Sequence, residues 1–263
     1  TSTGMSGGYV KYLKRMLPEI CHIGPFTVFS YGLMLVLAFF AAAFLAARQA
    51  KREKADAEKI FNLLFFVFIS GIIGSRVFYV AINFPFYLRD PLEMIMLQHG
   101  GMAWFGGLIS GFSAGSLFIK KNKMNLLKTL DLLVPFIALG QAIGRIGCFL
   151  NGCCFGKPGE FGLLIPTQLY SSLLLLLIFF ILRFLQDRKH PAGEILYSYF
   201  FLYSLKRFFI EFARNDSPRI FYGLTLFQLL SLGMFFFSLI MIIRLFRKLG
   251  DGSIFQQDQP TEK

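Results

Sequence analysis

Windows of about 20 mostly apolar residues, the length a helix needs to cross a bilayer, recur along this chain, with basic or Pro/Gly-rich punctuation between them. Seven such windows are predicted to be spanning helices, over residues 27–47, 60–82, 102–119, 127–148, 167–185, 193–213 and 222–246. A chain patterned in this way folds as an all-α polytopic bundle, because in lipid the backbone must satisfy its own hydrogen bonds. The 34 phenylalanines and the 55% hydrophobic content exceed what one soluble core requires and suit side chains that face acyl tails.

A net charge of +12 would raise nucleic acid as a partner in a soluble protein. Here the basic residues sit in short blocks between the windows, and no stacking platform accompanies them, so no nucleic acid partner is expected. They act instead as a topology signal. Arg48, Lys51, Arg52, Lys54 and Lys59 follow the first window, and Lys120, Lys121, Lys123 and Lys128 follow the third. Arg183, Arg188 and Lys189 follow the fifth, and Arg244, Arg247 and Lys248 the seventh. The alternate loops hold only Arg89, Lys157, Arg214 and Arg219. The positive-inside rule therefore places the N-terminus outside and the C-terminus in the cytoplasm.

Four regions follow. Residues 1–8 read as an expression-vector scar and flexible start, with Met5 as the native initiator. Residues 9–26 form a basic, amphipathic interfacial segment, residues 27–248 the seven-span catalytic domain, and residues 249–263 a disordered cytoplasmic tail. Asn83 to Gln98, broken by Pro85 and Pro91, is too short to span and lies in the outer interface.

Charge inside a span costs about 2.5 kcal/mol or more, so each such residue is a functional candidate. Arg76, Arg145, Arg207 and Glu211 lie late in their windows, towards one membrane face, with Arg214 close by. Arg207 and Glu211 are four apart and pair on one helix face, which Arg214 continues. A surplus of arginines over Glu211 implies an anionic ligand, and forked guanidinium donors suit phosphate. The segment Gly140 to Gly156, GQAIGRIGCFLNGCCFG, places five glycines around Arg145 and is expected to cradle an anion through backbone N–H groups. Small residues Gly71, Ser75, Gly107, Gly111 and Gly115 predict close helix packing.

Of the three histidines, His22 lies in the segment before the first window and His190 on the cytoplasmic side; only His99, beside the Gly100-Gly101 turn on the outer side, is a candidate base, and it reads as an interfacial loop residue. Cys148, Cys153 and Cys154 cluster on the same side, where a disulfide or a metal must be weighed. With no nearby His or acid to complete a ligand set, small apolar packing is the favoured reading, and neither a metal nor another cofactor is expected.

These pieces together resemble the prolipoprotein diacylglyceryl transferase family. The likeness runs from about Pro25 to Phe246 and rests on Tyr31-Gly32-Leu33, Gly74-Ser75-Arg76, Gly100-Gly101-Met102 and Gly106-Gly107. It rests further on the GRIGCFLNGCCFG block, on Pro166-Thr167-Gln168-Leu169-Tyr170, and on RFFIEFAR from Arg207 to Arg214. The resemblance implies a multi-pass enzyme of the bacterial inner membrane with its active face periplasmic. The implied reaction moves the diacylglyceryl group of phosphatidylglycerol to the lipobox cysteine thiol of a prolipoprotein signal peptide, forming a thioether and releasing glycerol phosphate. It implies catalytic roles for Arg145, Arg207, Glu211 and Tyr31. Arg76, Asn151, Gly152, Gly156, Gln168, Tyr170 and Arg214 are then expected at the lipid and phosphate. The chain departs from the family at Phe105 and Ile165, where His is usual, and at Cys148 and Cys153, where Asn and Glu are usual. Two rival readings are a paralogue with a different acceptor and a transporter of lipids or organic anions. The transporter reading would be supported by internal symmetry, of which the sequence shows none.

Overall fold

The computed structural model describes residues 19–23, 26–88, 90–96, 100–157, 165–214, 219–221 and 223–250. The expected start at 1–8, the basic stretch 9–18, His99 and the tail beyond residue 250 lie outside the described residues. Seven long helices carry the fold among them: α1 (Ser30–Arg52), α2 (Ala57–Ile82), α4 (Trp104–Lys121), α5 (Leu126–Leu150), α6 (Thr167–Gln186), α7 (Glu194–Ala213) and α8 (Leu226–Gly250). A short α3 (Phe84–Tyr87) and a 3-10 turn (Pro91–Met94) fold the α2–α4 connection.

Five of the long helices, α1, α2, α5, α6 and α8, are long and apolar enough to cross a membrane. The other two match expected windows but are less apolar. α4 has 18 residues ending in Lys120-Lys121, and α7 contains Glu194, Lys206, Arg207 and Glu211. Large apolar side chains cover the outer surface, among them Phe40, Phe44, Phe112, Phe180, Phe184 and Phe209. An apolar exterior on this scale identifies lipid as the solvent of a multi-pass membrane protein.

The first helix begins three residues later than the sequence suggested. Glu19–Ile23 (β1) and Phe26–Phe29 (β2) pair antiparallel, with Cys21 opposite Val28 and His22 opposite Thr27. β-branched Thr27 and Val28 favour a strand. A second small hairpin, Arg219–Phe221 (β3) with Leu224–Thr225 (β4), delays the last helix to Leu226. The all-helical expectation thus holds for the bundle, with two short hairpins added at helix entries.

α5 is the central helix, packed against α1, α6 and α7, while α2 packs mainly on α4 and α7 on α8. The α2–α4 pair uses the predicted small residues: a Cβ placed on Gly107 would sit 3.1 Å from the Gly71 carbonyl oxygen. Ser110 Oγ also donates to the Ser70 carbonyl at 2.8 Å, a polar tie between helices that lipid cannot compete for. In α5, Pro135 has no N–H for the carbonyl of Asp131 four residues earlier. Gln186 Nε2 of α6 donates to that oxygen at 3.3 Å. The Asp131 carboxylate reaches α7, accepting from the N–H groups of Gly193 and Leu196, the latter at 2.9 Å. A buried acid therefore caps the orphan donors of one helix N-terminus from a neighbouring helix.

Candidate active site

At the other end of α5, 14 residues and about 21 Å beyond Asp131 at 1.5 Å per residue, charged residues of α5 and α7 meet. Arg207 Nη2 lies 3.1 Å from Glu211 Oε2, and Arg214 Nε lies 4.0 Å from the same oxygen. The Glu211 side chain is fully buried. Its second oxygen accepts from Thr225 Oγ1 at 3.1 Å. Thr225 is itself part of a reciprocal cap at the start of α8, since Gln228 Oε1 accepts from Thr225 N and Thr225 Oγ1 from Gln228 N. This is the capping box of a Thr-x-x-Gln sequence, and it fixes the acid that fixes the two arginines. The Arg207 guanidinium also lies 4.6 Å above the Phe227 ring, held by the ring's negative face.

Arg145, in the last turns of α5, has no ion-pair or hydrogen-bond partner among the described residues. Its side chain is half-buried. Lys206, which sequence reading passed over for its neighbour Arg207, is buried. Its Nζ donates to Ser171 Oγ at 3.1 Å and lies 4.6 Å from the Tyr203 ring centre. It feels the positive charges of Arg145, Arg207 and Arg214. Asp131 and Glu194, the other buried acids of the long helices, are at the far end. The cluster therefore contains four cations against Glu211, the surplus the sequence suggested, with Lys206 in it and Arg76 outside it.

Tyr31 comes to the cluster from the first turn of α1. A Cβ on Gly147 would sit 3.5 Å from its ring carbon Cδ2 and 2.9 Å from Met34 Cβ, so that glycine admits the close α1–α5 approach that brings Tyr31 near Arg145 and the three cysteines.

Several expectations require correction. Arg76 is not available to a phosphate, because backbone carbonyls occupy its donors. Nε donates to Met94 at 3.1 Å, Nη1 to Gly100 and to Gly101 at 2.9 Å, and Nη2 to Glu93 and to Met96 at 3.0 Å. It ties the α2–α4 connection to the bundle, with Tyr87 stacked at 5.4 Å. The glycine-rich anion cradle is also not formed. The N–H groups of Asn151, Gly152, Cys153, Gly156 and Lys157 all donate to protein carbonyls, at 2.8–3.1 Å. The segment ends a helix, where carbonyls rather than N–H groups are left over. Gly156 is instead a packing position: a Cβ there would lie 2.5 Å from the Ala213 carbonyl oxygen and 2.7 Å from Thr167 Cγ2. Its bridge to Arg214 joins the loop to the end of α7.

Gln168, expected at the lipid, is fully buried and donates from Nε2 to the Cys153 carbonyl. Its Oε1 has no partner among the described residues. Tyr170, by contrast, is on the exposed side of α6, opposite buried Gln168 and Ser171, and does not join the cluster. Phe105, where the resemblance expects His, is also exposed, edge-on to Trp104 at 5.2 Å.

The sequence profile of the family described as prolipoprotein diacylglyceryl transferase matches residues 18–244. A phosphatidylglycerol–prolipoprotein diacylglyceryl transferase of Clostridium tetani is 32% identical over 219 residues, 78% of this chain and 87% of that protein. A protein of the same name from Staphylococcus carnosus is 33% identical over 247 residues, 86% of this chain and 89% of its own. One from Clostridium kluyveri is 35% identical over 223 residues, 78% and 88% of the two chains. A cation-rich site at one end of a lipid-solvated bundle and a match over most of its length lead to the same conclusion: this chain belongs to the prolipoprotein diacylglyceryl transferase family.

Proposed function

We propose that this protein transfers the diacylglyceryl group of phosphatidylglycerol to the thiol of the lipobox cysteine in prolipoproteins, releasing glycerol phosphate. The observation that carries this reading is the cation surplus: Arg145, Lys206, Arg207 and Arg214 are grouped around one buried acid. Cleaving the glyceryl C–O bond leaves negative charge on a phosphate oxygen. Donors fixed before the reaction and shielded from water stabilise that charge without reorganising. Arg145, half-buried and without a protein partner among the described residues, is the phosphate contact in this reading. Arg207 and Arg214, tied to Glu211 and through it to Thr225, set the surrounding field. Tyr31 supplies a hydroxyl at the same end.

The basic residues in the last turns of α1, α4, α6 and α8 support seven spans with the C-terminus cytoplasmic. That orientation puts the site at the periplasmic face of a bacterial inner membrane, where lipid enters laterally and a signal peptide presents its cysteine. Purified protein mixed with phosphatidylglycerol and a lipobox peptide is expected to yield a peptide heavier by the diacylglyceryl group, detected by mass spectrometry. A peptide of unchanged mass at every lipid concentration would overturn the assignment.

A further inference from the structure

The thiols of Cys148, Cys153 and Cys154 converge, with sulfur atoms all within 4.8 Å of one another. Sequence reading found no His or acid to complete a ligand set; the set closes on sulfur alone. Gly152, at φ 73°, reverses the chain after α5, and Cys154 adopts φ 66°, a left-handed conformation that side chains rarely take and that is held where surrounding structure demands it. That structure is visible: Thr167 Oγ1 donates to the Cys154 carbonyl at 2.8 Å and Gln168 Nε2 to the Cys153 carbonyl. Both cysteines are therefore pinned to the start of α6 while Cys148 stays on α5.

We propose that Cys148, Cys153 and Cys154 bind a divalent zinc ion as a three-sulfur site whose fourth position takes the acceptor thiol. The inference rests on the transferase reading above and adds the group that activates the nucleophile. With Zn–S bonds of about 2.3 Å in a tetrahedron, the sulfurs stand about 3.8 Å apart, a contraction of about 1 Å or less from the present arrangement. All three cysteines are partly exposed, which leaves room for a fourth ligand, as in zinc sites that do chemistry. Three thiolates and one zinc ion leave a net negative charge, and Arg145 and Arg214 both act on Cys154 to balance it. The buried Gln168 Oε1, without a donor beside Cys153, is an acceptor that a zinc-bound water or an entering peptide N–H would satisfy.

The chemistry asks for such a group. His190 is beside Asp131 at the other end of α5, and Glu211 is engaged with Arg207 and Thr225. A thiol that ligates zinc is deprotonated outright; its proton passes to solvent. The zinc-bound sulfur then attacks the glyceryl carbon that carries the phosphate. A C–S bond forms and the C–O bond breaks, its electron pair staying on the phosphate oxygen of the departing glycerol phosphate. The product thioether is neutral, a weak zinc ligand, and leaves.

The test uses the full-length protein in detergent, purified under reducing conditions and loaded with Zn²⁺ or with Co²⁺ as a spectroscopic stand-in. The wild type is expected to retain one equivalent of metal and, with cobalt, to show the intense near-ultraviolet sulfur-to-metal band. Each of Cys148→Ser, Cys153→Ser and Cys154→Ser is expected to lose that band while eluting and melting as wild type. A lipobox peptide should intensify the band, and the same peptide with serine in place of cysteine should not. If a serine variant fails to fold, thiol alkylation protected by Zn²⁺ in the wild type alone reads the same site. A metal-free wild type, a disulfide among the three cysteines, or full transfer by chelator-treated protein would overturn the proposal and leave the transferase reading standing. A thiolate–cobalt band that responds to the peptide without any lipid transfer would do the reverse.

Discussion

Arg76 and Arg145 both lie late in long apolar helices, α2 and α5, and by sequence both qualify as intramembrane charges with a function. The structure separates them by what their donors touch. Arg76 is buried, and its guanidinium is occupied by carbonyls of Glu93, Met94, Met96, Gly100 and Gly101, so it pins a loop. Arg145 has no such partners among the described residues, and its neighbours are cations. Burial and charge alone therefore do not mark a site in a membrane bundle. The number of guanidinium donors left over after the protein's own acceptors are counted does.

That difference is open to substitution. The largest loss of stability is expected for Arg76→Ala. Each buried carbonyl stripped of its donor costs about 1–3 kcal/mol, so this variant should fail to accumulate as monodisperse protein. A normally folded Arg76→Ala would mean that water or lipid headgroups satisfy the loop, and the contrast would collapse. Next comes Arg207→Ala, which leaves Glu211 buried without its closest cation. Breaking a buried pair from one side costs about 3–5 kcal/mol, read as a lower melting temperature. The double variant Arg207→Ala with Glu211→Ala should recover most of that loss and remain inactive; a double variant less stable than either single would show that the two are not coupled. Smaller still is Thr225→Ala, which removes the α8 cap and one hydrogen bond to Glu211. It should lower stability by about 0.5–2 kcal/mol, with Thr225→Ser close to wild type. Equal losses for the alanine and serine variants would assign the effect to the threonine methyl instead.

Helix positions were legible in the sequence because windows of about 20 apolar residues with charged ends have few alternatives in lipid. Their entries were less so: Phe26–Phe29 and Leu224–Thr225 are short strands inside runs whose hydropathy reads as helix. The Arg207–Glu211 pair was legible from i,i+4 spacing. Arg76 was misjudged because its acceptors are backbone carbonyls 17 to 25 positions away, which no side-chain pattern reports. The anion cradle failed for a related reason. Glycine density permits close approach, but at the C-terminus of α5 the N–H groups already have acceptors. Lys206 and the Thr225-x-x-Gln228 box were both present as signals, the first masked by its arginine neighbour and the second by the apolar run that follows it. The meeting of Cys148 with Cys153 and Cys154 depends on the backward turn at Gly152, which spacing alone does not fix.

The central claim, that the guanidinium left without a protein partner takes the phosphate, is tested most directly by the rate of lipid transfer to a lipobox peptide by Arg145→Ala, measured per folded molecule beside wild type. Removing one preorganised donor to a developing oxyanion typically slows a reaction by about 10²–10³-fold. The account predicts a fall of that size with the melting temperature unchanged, because Arg145 holds nothing else in place. Transfer at the wild-type rate, or a fall that merely follows a loss of folded protein, would contradict it.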